Sequence, residues 1–411
     1  MGRAFSRATI ADHDLENNNY NNNNNNVDIN RNSSTFYGIS FGSNIPEELS
    51  QEPEHRKHWY TDFLEQAFVA PHRDGKSVVV FLPEHNNHYG YDDEMKAAVV
   101  RAAEVYERLC LNHSGHPRIV RYLYRLNSSV AGFCLERLTP GPLDKLKLPP
   151  LTLPLVSPSA KDKTLLALYY RWALQTLSAL HYIHTHSVFL SNFGPNSIWL
   201  RADMSVAVTG FIATAIPTLI PEYDELGVET DSYEYVLQTP ENAYRSESLE
   251  LLGHGQPVYG AAHDLFDWAT FMWRLFTNDY STCPLPQPGR YHRSPLLTMD
   301  QACWPDFSND RRPWNYEEKR QEEGAWQVLE EQRLGYILVK AWNGQYGNAK
   351  EALEDVQNAV QKMGMLLVGG DEIELGKGAR WEDVFDVIRT GDGEFDQEVR
   401  FVDNAEEKIA V

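Results

Sequence analysis

The sequence predicts an α+β fold in which a smaller, strand-rich part precedes a larger helical part. Apolar residues recur every three positions through residues 172–184, with good helix formers between them, which indicates a buried helix. Residues 197–209 contain two β-prone runs on either side of a short turn, which predicts a hairpin directly after that helix. Nearer the start of the chain, the apolar run at 77–84 is the best candidate for a strand.

Composition excludes several classes of protein. The chain has 411 residues, 42% of them hydrophobic, so it can bury a large core as one two-lobed unit or as two domains. A formal net charge of -21 argues against nucleic acid and anionic membranes, because both attract basic patches. No apolar run approaches the roughly 20 residues that span a bilayer, and no signal-peptide core follows Met1. We therefore expect no membrane span and an intracellular location, in the cytoplasm or the nucleus.

The N-terminal segment is predicted to be disordered over residues 1–57. Residues 17–26 are asparagine at every position except Tyr20, and polyasparagine buries no apolar area. Gly2 and Ser6 fit an N-myristoylation pattern, for which a chance match is the alternative.

The C-terminal segment, residues 366–411, is rich in Asp and Glu with few basic residues to balance them. We expect a weakly packed acidic tail. The alternative is a partner-docking segment of one or two amphipathic turns. Its apolar residues are Trp381, Val384, Phe385, Val387 and Ile388.

Five segments occur in one order along the chain. They are HPRIVRY at 116–122, FCLERL at 133–138, LSNFGPNSI at 190–198, DLFDWA from 264, and GYILVKAW at 335–342. In this order they resemble the eukaryotic protein kinase superfamily, and the last one is similar to the closing helices of fungal kinase-like proteins. The resemblance implies a bilobal fold, with a small β-rich N-lobe and hinge at 58–138 and a larger helical C-lobe at 139–365.

The loop at 190–198 resembles a kinase catalytic loop whose chemistry is lost. The Asp that accepts the substrate proton maps to Asn192, an amide that takes no proton. Leu190 and Ser191 precede it in the same degenerate triplet. The loop Lys maps to Gly194, and the Asn that holds a second magnesium maps to Ser197. A register slip would bring the neighbouring Asn196 to the second-magnesium position.

The remaining catalytic positions also lack the charged residues that kinase chemistry requires. The Asp that holds the principal magnesium maps to Gly210, directly before Phe211. The lysine of the third strand maps to Phe81, or to Val80 or Leu82 after a one-residue slip, and no register supplies an amine. The helix glutamate that pairs with this lysine maps to Ala102.

The adenine pocket and hinge map to Leu135, Glu136, Leu138 and Trp199. Leu135 takes the gatekeeper position, and Trp199 replaces the smaller residue beneath adenine. An indole there either fills the purine space or rotates into the large-lobe core.

An apolar column, by contrast, is retained. By position it runs through Tyr122, Tyr106, Phe211 and Leu190 and stands on Asp264, which is expected to brace the loop backbone. Replacing the loop histidine by leucine keeps burial without an unsatisfied polar group.

These observations predict a kinase-like protein that lacks catalysis, a pseudokinase acting as a protein-binding scaffold or allosteric regulator. No cofactor is expected. The alternatives are a Ser/Thr kinase with a rebuilt site that uses ATP and magnesium, and a nucleotide-binding regulator without transfer.

Three weaker features have ordinary structural interpretations. His181, His184 and His186 are expected to be structural rather than metal ligands. The aromatic stretch 304–316 is expected to be an ordered insertion, with a partner surface as the alternative. The segment after Gly210 is long and contains phosphorylatable residues, namely Ser232, Tyr233 and Tyr235.

Overall fold

Five antiparallel strands form one sheet. They are β3 (Tyr60–Asp62), β4 (Ala67–Pro71), β5 (Ser77–Phe81), β6 (Tyr122–Arg125) and β7 (Gly132–Glu136). Their order in the sheet is β3-β4-β5-β7-β6. β5 lies at the centre, and its run of β-branched and aromatic side chains is buried on both faces of the sheet. Helix α1 (Asp92–Cys110) connects β5 to β6.

The computed structural model describes fewer residues than the sequence contains. The described residues are 35–36, 39–40, 46–49, 60–62, 67–82, 92–110, 115–127, 130–153, 155, 157–190, 193–214, 216–223, 229–238, 260–278, 331–391, 397–403 and 405. The chain divides into two compact units, residues 1–40 and 41–411. In the first unit, β1 (Thr35–Phe36) and β2 (Ile39–Ser40) pair antiparallel.

Helix α2 (Ala160–Thr185) is the central element of the helical part. Ser159 caps its first turn by accepting from Asp162 N, and the Asp162 carboxylate accepts from Ser159 N in return. Apolar residues occupy almost every face of the helix, so it is buried all round rather than along a single stripe. The helix predicted at 172–184 is confirmed within it.

The predicted hairpin after α2 is also confirmed. β10 (Ile198–Leu200) and β11 (Val206–Val208) pair antiparallel, and β8 (Gly141–Pro142) adds a third strand on the other side of β10. Trp172 of α2 donates to Met204 O at 2.8 Å, which fixes the hairpin turn against the helix.

Three further helices complete the helical part, namely α3 (Ala261–Thr277), α4 (Gly335–Trp342) and α5 (Ala349–Lys362). Indole donors connect them: Trp268 of α3 donates to Thr176 of α2, and Trp342 of α4 donates to Thr270 of α3, each at 3.1 Å. Between Gly210 and α3 the chain forms a long antiparallel ribbon of β12 (Ile216–Tyr223) and β13 (Glu229–Gln238).

The acidic tail is packed, and the prediction of a weakly packed segment was wrong for 366–391 and 397–403. It contains β14 (Leu366–Val368), β15 (Glu372–Glu374), β16 (Phe385–Arg389) and β17 (Gln397–Phe401). β16 and β17 pair antiparallel, and β17 pairs parallel with β9 (Leu146–Lys147). Most of the larger apolar residues of the tail are buried, whereas Leu366 and Val368 are exposed; the buried ones are Ile373, Leu375, Trp381, Val384, Phe385, Val399 and Ala405.

An ion-pair clamp, made of Arg118, Arg171, Asp371 and Glu372, holds the start of the tail. Arg118 donates to both carboxylates at 2.9–3.1 Å, and Arg171 of α2 donates to Glu372. Arg171 also lies over the Trp381 ring, 5.2 Å from its centroid. Because Arg171 is buried, this clamp fixes tail residues against the middle of α2.

The N-terminal segment departs from its prediction at residues 46–49, which were expected to be disordered. Leu49 is buried and bridges to His72 after β4, and Arg73 N donates to Glu48 O at 2.9 Å. Residues 17–26 and the myristoylation pattern lie outside the described residues. The proposed boundaries after residues 57, 138 and 365 stay predictions.

The described elements therefore combine helices with small, mainly antiparallel sheets, which confirms the α+β class. None of the helices in the described part of the chain has both the length and the apolar character that a bilayer crossing requires.

Candidate functional site

An aromatic column joins the five-stranded sheet to the segment after β11. We define it as Tyr122 of β6, Tyr106 of α1 and Phe211. Tyr106 stacks on Tyr122 with ring centroids 5.8 Å apart and meets Phe211 edge-on at 4.7 Å. The Tyr106 hydroxyl also forms a buried 2.8 Å hydrogen bond with Thr209 Oγ1. Helix α1 is thus bound to the segment around Gly210 by packing and by a polar contact.

Asp264 of α3 anchors the loop that follows α2. Its buried carboxylate accepts from Leu190 N at 3.0 Å and lies 2.8 Å from His184 Nε2. The prediction that Asp264 braces the loop backbone is confirmed at Leu190. His184 is therefore a hydrogen-bonding residue of this anchor, in agreement with its expected structural role.

Asp267 is a second anchor that the sequence reasoning missed. It accepts from Phe193 N at 3.3 Å, and burial, reinforced by the neighbouring Asp264 charge, raises its pKa well above the ordinary range. The available signal was its position three residues after Asp264, which places both carboxylates on one side of α3. Ser191 and Asn192, between the two anchored amides, lie outside the described residues.

Gly194 and Ser197 close a turn at the end of this loop. Gly194 N donates to Ser197 Oγ at 3.2 Å, and Ser197 N donates to Gly194 O at 2.9 Å. Ser197 is fully buried, and its carbonyl accepts from Thr209 N at 2.8 Å. The hydroxyl at this position therefore stabilises the turn that leads into β10.

Gly210 adopts the left-handed conformation, with φ 79° and ψ 46°. This backbone favours glycine because a Cβ is strained there. It directs the chain into the short 3-10 helix Phe211–Ala213, which places Phe211 beneath Tyr106.

The β5 register shows which face of the sheet Phe81 occupies. Val80 pairs with Phe133, and Phe133 packs on Tyr106 of α1, so this face of the sheet looks toward the helix. Side chains alternate along a strand, so Phe81 lies on the opposite face, where it packs on Phe68 at 6.0 Å. Val80 is therefore the residue of β5 that faces α1, which is the one-residue slip allowed for above.

Ala102 lies one helical turn before Tyr106 on α1 and is completely buried. Glu107, further along the helix, forms other contacts, because it accepts from Tyr122 Oη at 2.8 Å and from Arg125. Val80 and Ala102 are therefore both buried apolar residues, and neither supplies a charged group.

A cavity of about 210 Å³ lies between β4, β5, the segment after β7 and the tail. Its walls are mainly apolar, and Trp199 of β10 forms one of them while remaining 4% exposed. The lining residues are Val69, Ala70, Pro71, Val78, Arg137, Leu138, Thr139, Pro140, Gly141, Pro142, Trp199, Arg389 and Gln397.

Two of the four predicted pocket residues line this cavity, Leu138 and Trp199. Leu135 is buried within the sheet between Val78 and Tyr122. Glu136 points its carboxylate at Arg121 N and Arg201, at 3.0 and 2.9 Å. Both residues are thus used by the sheet and its border rather than by the cavity.

The tail closes one side of the cavity, which sequence reasoning did not predict. Arg389 of β16 and Gln397 of β17 are direct partners in the hairpin register, and both line the cavity. Among the described lining residues, Arg389 and Arg137 carry a charge. The cavity is therefore lined by two segments that are distant in the sequence.

Metal binding finds no support within the described ranges, where no three His, Cys, Asp or Glu side chains group as ligands. The aromatic stretch 304–316 lies outside the described residues, as do the side chains of Ser232, Tyr233 and Tyr235.

Comparison with known proteins adds no relative. No family model matches the chain, and no curated protein is significantly similar to it. The functional argument therefore rests on the residues themselves.

Proposed function

We propose that the chain has a bilobal, protein-kinase-like fold without phosphotransfer and acts as a protein-binding scaffold or allosteric regulator. The observation that carries this proposal is the aromatic column. It connects the sheet, helix α1 and the segment after β11, close to the loop that Asp264 anchors. The β3-β4-β5-β7-β6 order, with α1 inserted between β5 and β6, supports the same likeness.

The proposed loss of phosphotransfer rests on the residues at the positions that are charged in active kinases. Phosphoryl transfer depends on neutralising phosphate charge with metal ions, an amine and donors. Here Val80 and Ala102 are buried apolar residues, and Gly210 offers no side chain to a metal. Gly194 likewise supplies no amine in the loop. These substitutions remove interactions that act on the transferring group, while the packing beneath them is kept.

Nucleotide binding without transfer is the second candidate, and the observation in its favour is the cavity beside Leu138. Two features of this cavity count against it. Its volume of about 210 Å³ is smaller than the roughly 300–1,000 Å³ typical of pockets for drug-sized ligands. Trp199 forms part of its wall, which leaves little depth for a purine with its phosphates.

Thermal unfolding of the full chain with and without ATP and magnesium separates these candidates. We expect no shift in the midpoint, with magnesium alone as the control. A rise of several degrees that saturates with ATP contradicts an empty site, because a ligand of the native state stabilises it by mass action.

Phosphotransfer is tested with labelled ATP and a general protein substrate. The matched control is Val78→Phe, which fills the cavity from its apolar wall. Incorporation above background that disappears in this variant identifies an active kinase and overturns the proposal. Incorporation that persists in both proteins comes from a co-purifying kinase.

The scaffold role is tested by affinity capture with the full chain. A scaffold is expected to recover the same defined partners with and without ATP and magnesium. A partner set that requires ATP favours the nucleotide-binding regulator instead.

A further inference from the structure

We propose that the exposed face of β14 binds an extended peptide segment of another protein, one that carries apolar residues and at least one Lys or Arg. Leu366 and Val368 form this surface, which we call the β14 face. The inference rests on the proposed scaffold role and deepens it, because it names the kind of partner and the place where that partner binds.

The β14 face leaves two large apolar side chains in water. Leu366 is 60% exposed and Val368 is 48% exposed. They alternate along the chain with Met365 and Leu367, which are partly buried and pack against the core. Neighbouring apolar side chains on one face of a surface strand are unfavourable in water, so they indicate an interaction that covers them.

The surroundings of β14 leave room for a further strand. β15 pairs with one edge of β14, and among the described strands no other pairs with it. A Cβ added at Gly364 or at Gly369, on either side of the strand, would meet no atom within 4 Å. A peptide that adds to a strand edge gains affinity from backbone hydrogen bonds and specificity from its alternate side chains.

The charges beside the β14 face favour a basic partner. Between residues 363 and 376 the charged residues are Asp371, Glu372 and Glu374. The arginines of the ion-pair clamp hold the first two, whereas Glu374 is exposed. Leu366 and Glu374 are direct partners in the β14–β15 register, so this carboxylate lies on the same face as the apolar pair. A Lys or Arg of the bound segment can therefore pair with it.

A second copy of the chain fits this face less well than a peptide segment. Two half-exposed side chains offer far less area than the roughly 1,200–2,000 Å² that a stable protein–protein interface buries. Each copy also carries a net charge of -21, so two copies repel each other, whereas a basic segment is attracted. The area and the charge therefore both favour a short basic segment of a different protein.

The test selects random peptides displayed on phage, with the full chain as the target. The counter-target is Leu366→Thr/Val368→Thr, because threonine is a good strand former that replaces apolar surface with a hydroxyl group. Selection is expected to enrich peptides that alternate apolar residues with Lys or Arg, on the parent and not on the variant. The proposal is overturned if no peptide distinguishes the two targets, or if the enriched peptides lack basic residues.

The most enriched peptide is then synthesised with a fluorophore, and its binding is measured by anisotropy at physiological salt, which screens non-specific attraction to the acidic chain. We expect at least tenfold weaker binding to Leu366→Thr/Val368→Thr and at least threefold weaker binding to Glu374→Lys. The matched control is Val100→Thr/Tyr336→Thr, whose parent residues are 36% and 50% exposed on α1 and α4. Equal weakening in this control overturns the proposal.

Two further measurements separate this proposal from the scaffold role. If affinity capture recovers the same partners with the parent and with Leu366→Thr/Val368→Thr, the scaffold role stands and the β14 face is overturned as its docking site. If the parent recovers no partner at all, the scaffold role itself is overturned. A concentration-dependent dimer in sedimentation velocity that this variant abolishes would assign the β14 face to a second copy and overturn the peptide proposal.

Discussion

The aromatic column and the ion-pair clamp hold two parts of the molecule together by different means. The column joins α1 to the segment after β11 through ring packing and one buried hydrogen bond. The clamp joins the tail to α2 through two arginines and two carboxylates that lie 201 to 254 positions apart in the chain. Packing of this kind depends on shape, whereas the clamp depends on charges that must remain paired once buried.

The difference shows in how each region tolerates substitution. A tyrosine that is replaced by phenylalanine loses one hydroxyl group, but its ring still fills the same space. Removing one member of a buried ion pair leaves the other member unpaired in a low-dielectric environment, which costs more than the pair itself contributes.

The largest effect is expected for the column. Tyr106→Ala removes a fully buried ring that contacts Tyr122, Phe133 and Phe211, and it is expected to lower the free energy of unfolding by about 3–5 kcal/mol. Urea denaturation at pH 7 measures the change. Tyr106→Phe is the control, because it keeps the ring and loses only the 2.8 Å bond to Thr209, for about 1 kcal/mol. Equal losses in the two variants would mean that the hydroxyl, rather than the ring, holds the column.

For the clamp we expect a loss of about 2–4 kcal/mol from Glu372→Ala, because buried Arg171 then loses its nearest carboxylate and keeps Asp203, whose carboxylate lies 4.0 Å away. The same glutamate accepts from Arg118 and Gln175, so three donors are affected. Hydrogen exchange of β16 and β17 reports whether the tail detaches.

The control for the clamp is Glu374→Gln, a neighbouring exposed carboxylate on the same strand. It is expected to change stability by less than about 0.5 kcal/mol. If Glu372→Ala is equally mild, the apolar residues around Trp381 hold the tail without the clamp. Ending the chain at residue 365 is a less specific test of the clamp, because it also removes buried Ile373 and Trp381 from the core.

These two regions also differ in how far the sequence predicts them. Residues of the column follow recognisable motifs, and the loop anchor at Asp264 was assigned correctly because its helix has a distinctive apolar pattern. The clamp could not be predicted, since charged residues are common in this chain and nothing local indicates which of them meet. The acidic composition of the tail concealed its buried face for the same reason.

The cavity lies between these cases. Of the residues mapped to the adenine pocket and hinge, Leu138 and Trp199 line this cavity, whereas Leu135 and Glu136 do not. The strand register at Phe81 could not be read from the sequence, because a continuous apolar run such as that of β5 is buried on both faces and does not reveal which residues face the helix. Arg389 was missed because it reaches the cavity through a hairpin that only the folded tail creates.

A smaller effect is expected at Asp267, which anchors the loop beside the column. Burial raises its folded-state pKa above the ordinary value of 3.8, so the native state binds more protons than the unfolded chain. Its contribution is greatest at low pH and is lost as the pH rises through the folded pKa.

Asp267→Asn keeps an acceptor for Phe193 N and removes the titration. The variant is expected to be about 1–2 kcal/mol more stable than the parent at pH 7, with the advantage shrinking toward pH 4. Unfolding free energies measured from pH 4 to pH 8 test this trend. An advantage independent of pH would assign the effect to packing rather than to the carboxyl proton.

The smallest effect is expected at His116, which borders the clamp. Its pKa is lowered from 6.5 to about 4, mainly by burial; Asp371 opposes this shift, and Arg118 and His181 contribute to it. The native state therefore binds fewer protons than the unfolded chain between these values, so stability present above pH 6.5 is lost as the pH falls toward 4. After allowance for solvent screening, the loss amounts to about 1 kcal/mol.

His116→Asn removes this titration and still offers an acceptor to Arg118 N. In the parent protein Arg118 N donates to the imidazole Nδ1 at 3.1 Å. Its unfolding free energy is expected to vary less between pH 6.5 and 4.5 than that of the parent, measured in parallel urea titrations. Because Asp371 faces His116, the same series in Asp371→Asn is expected to show a steeper loss, since a carboxylate that favours the imidazolium is gone. A flatter profile in that variant would assign the acid sensitivity of this region to the clamp carboxylates and not to the histidine.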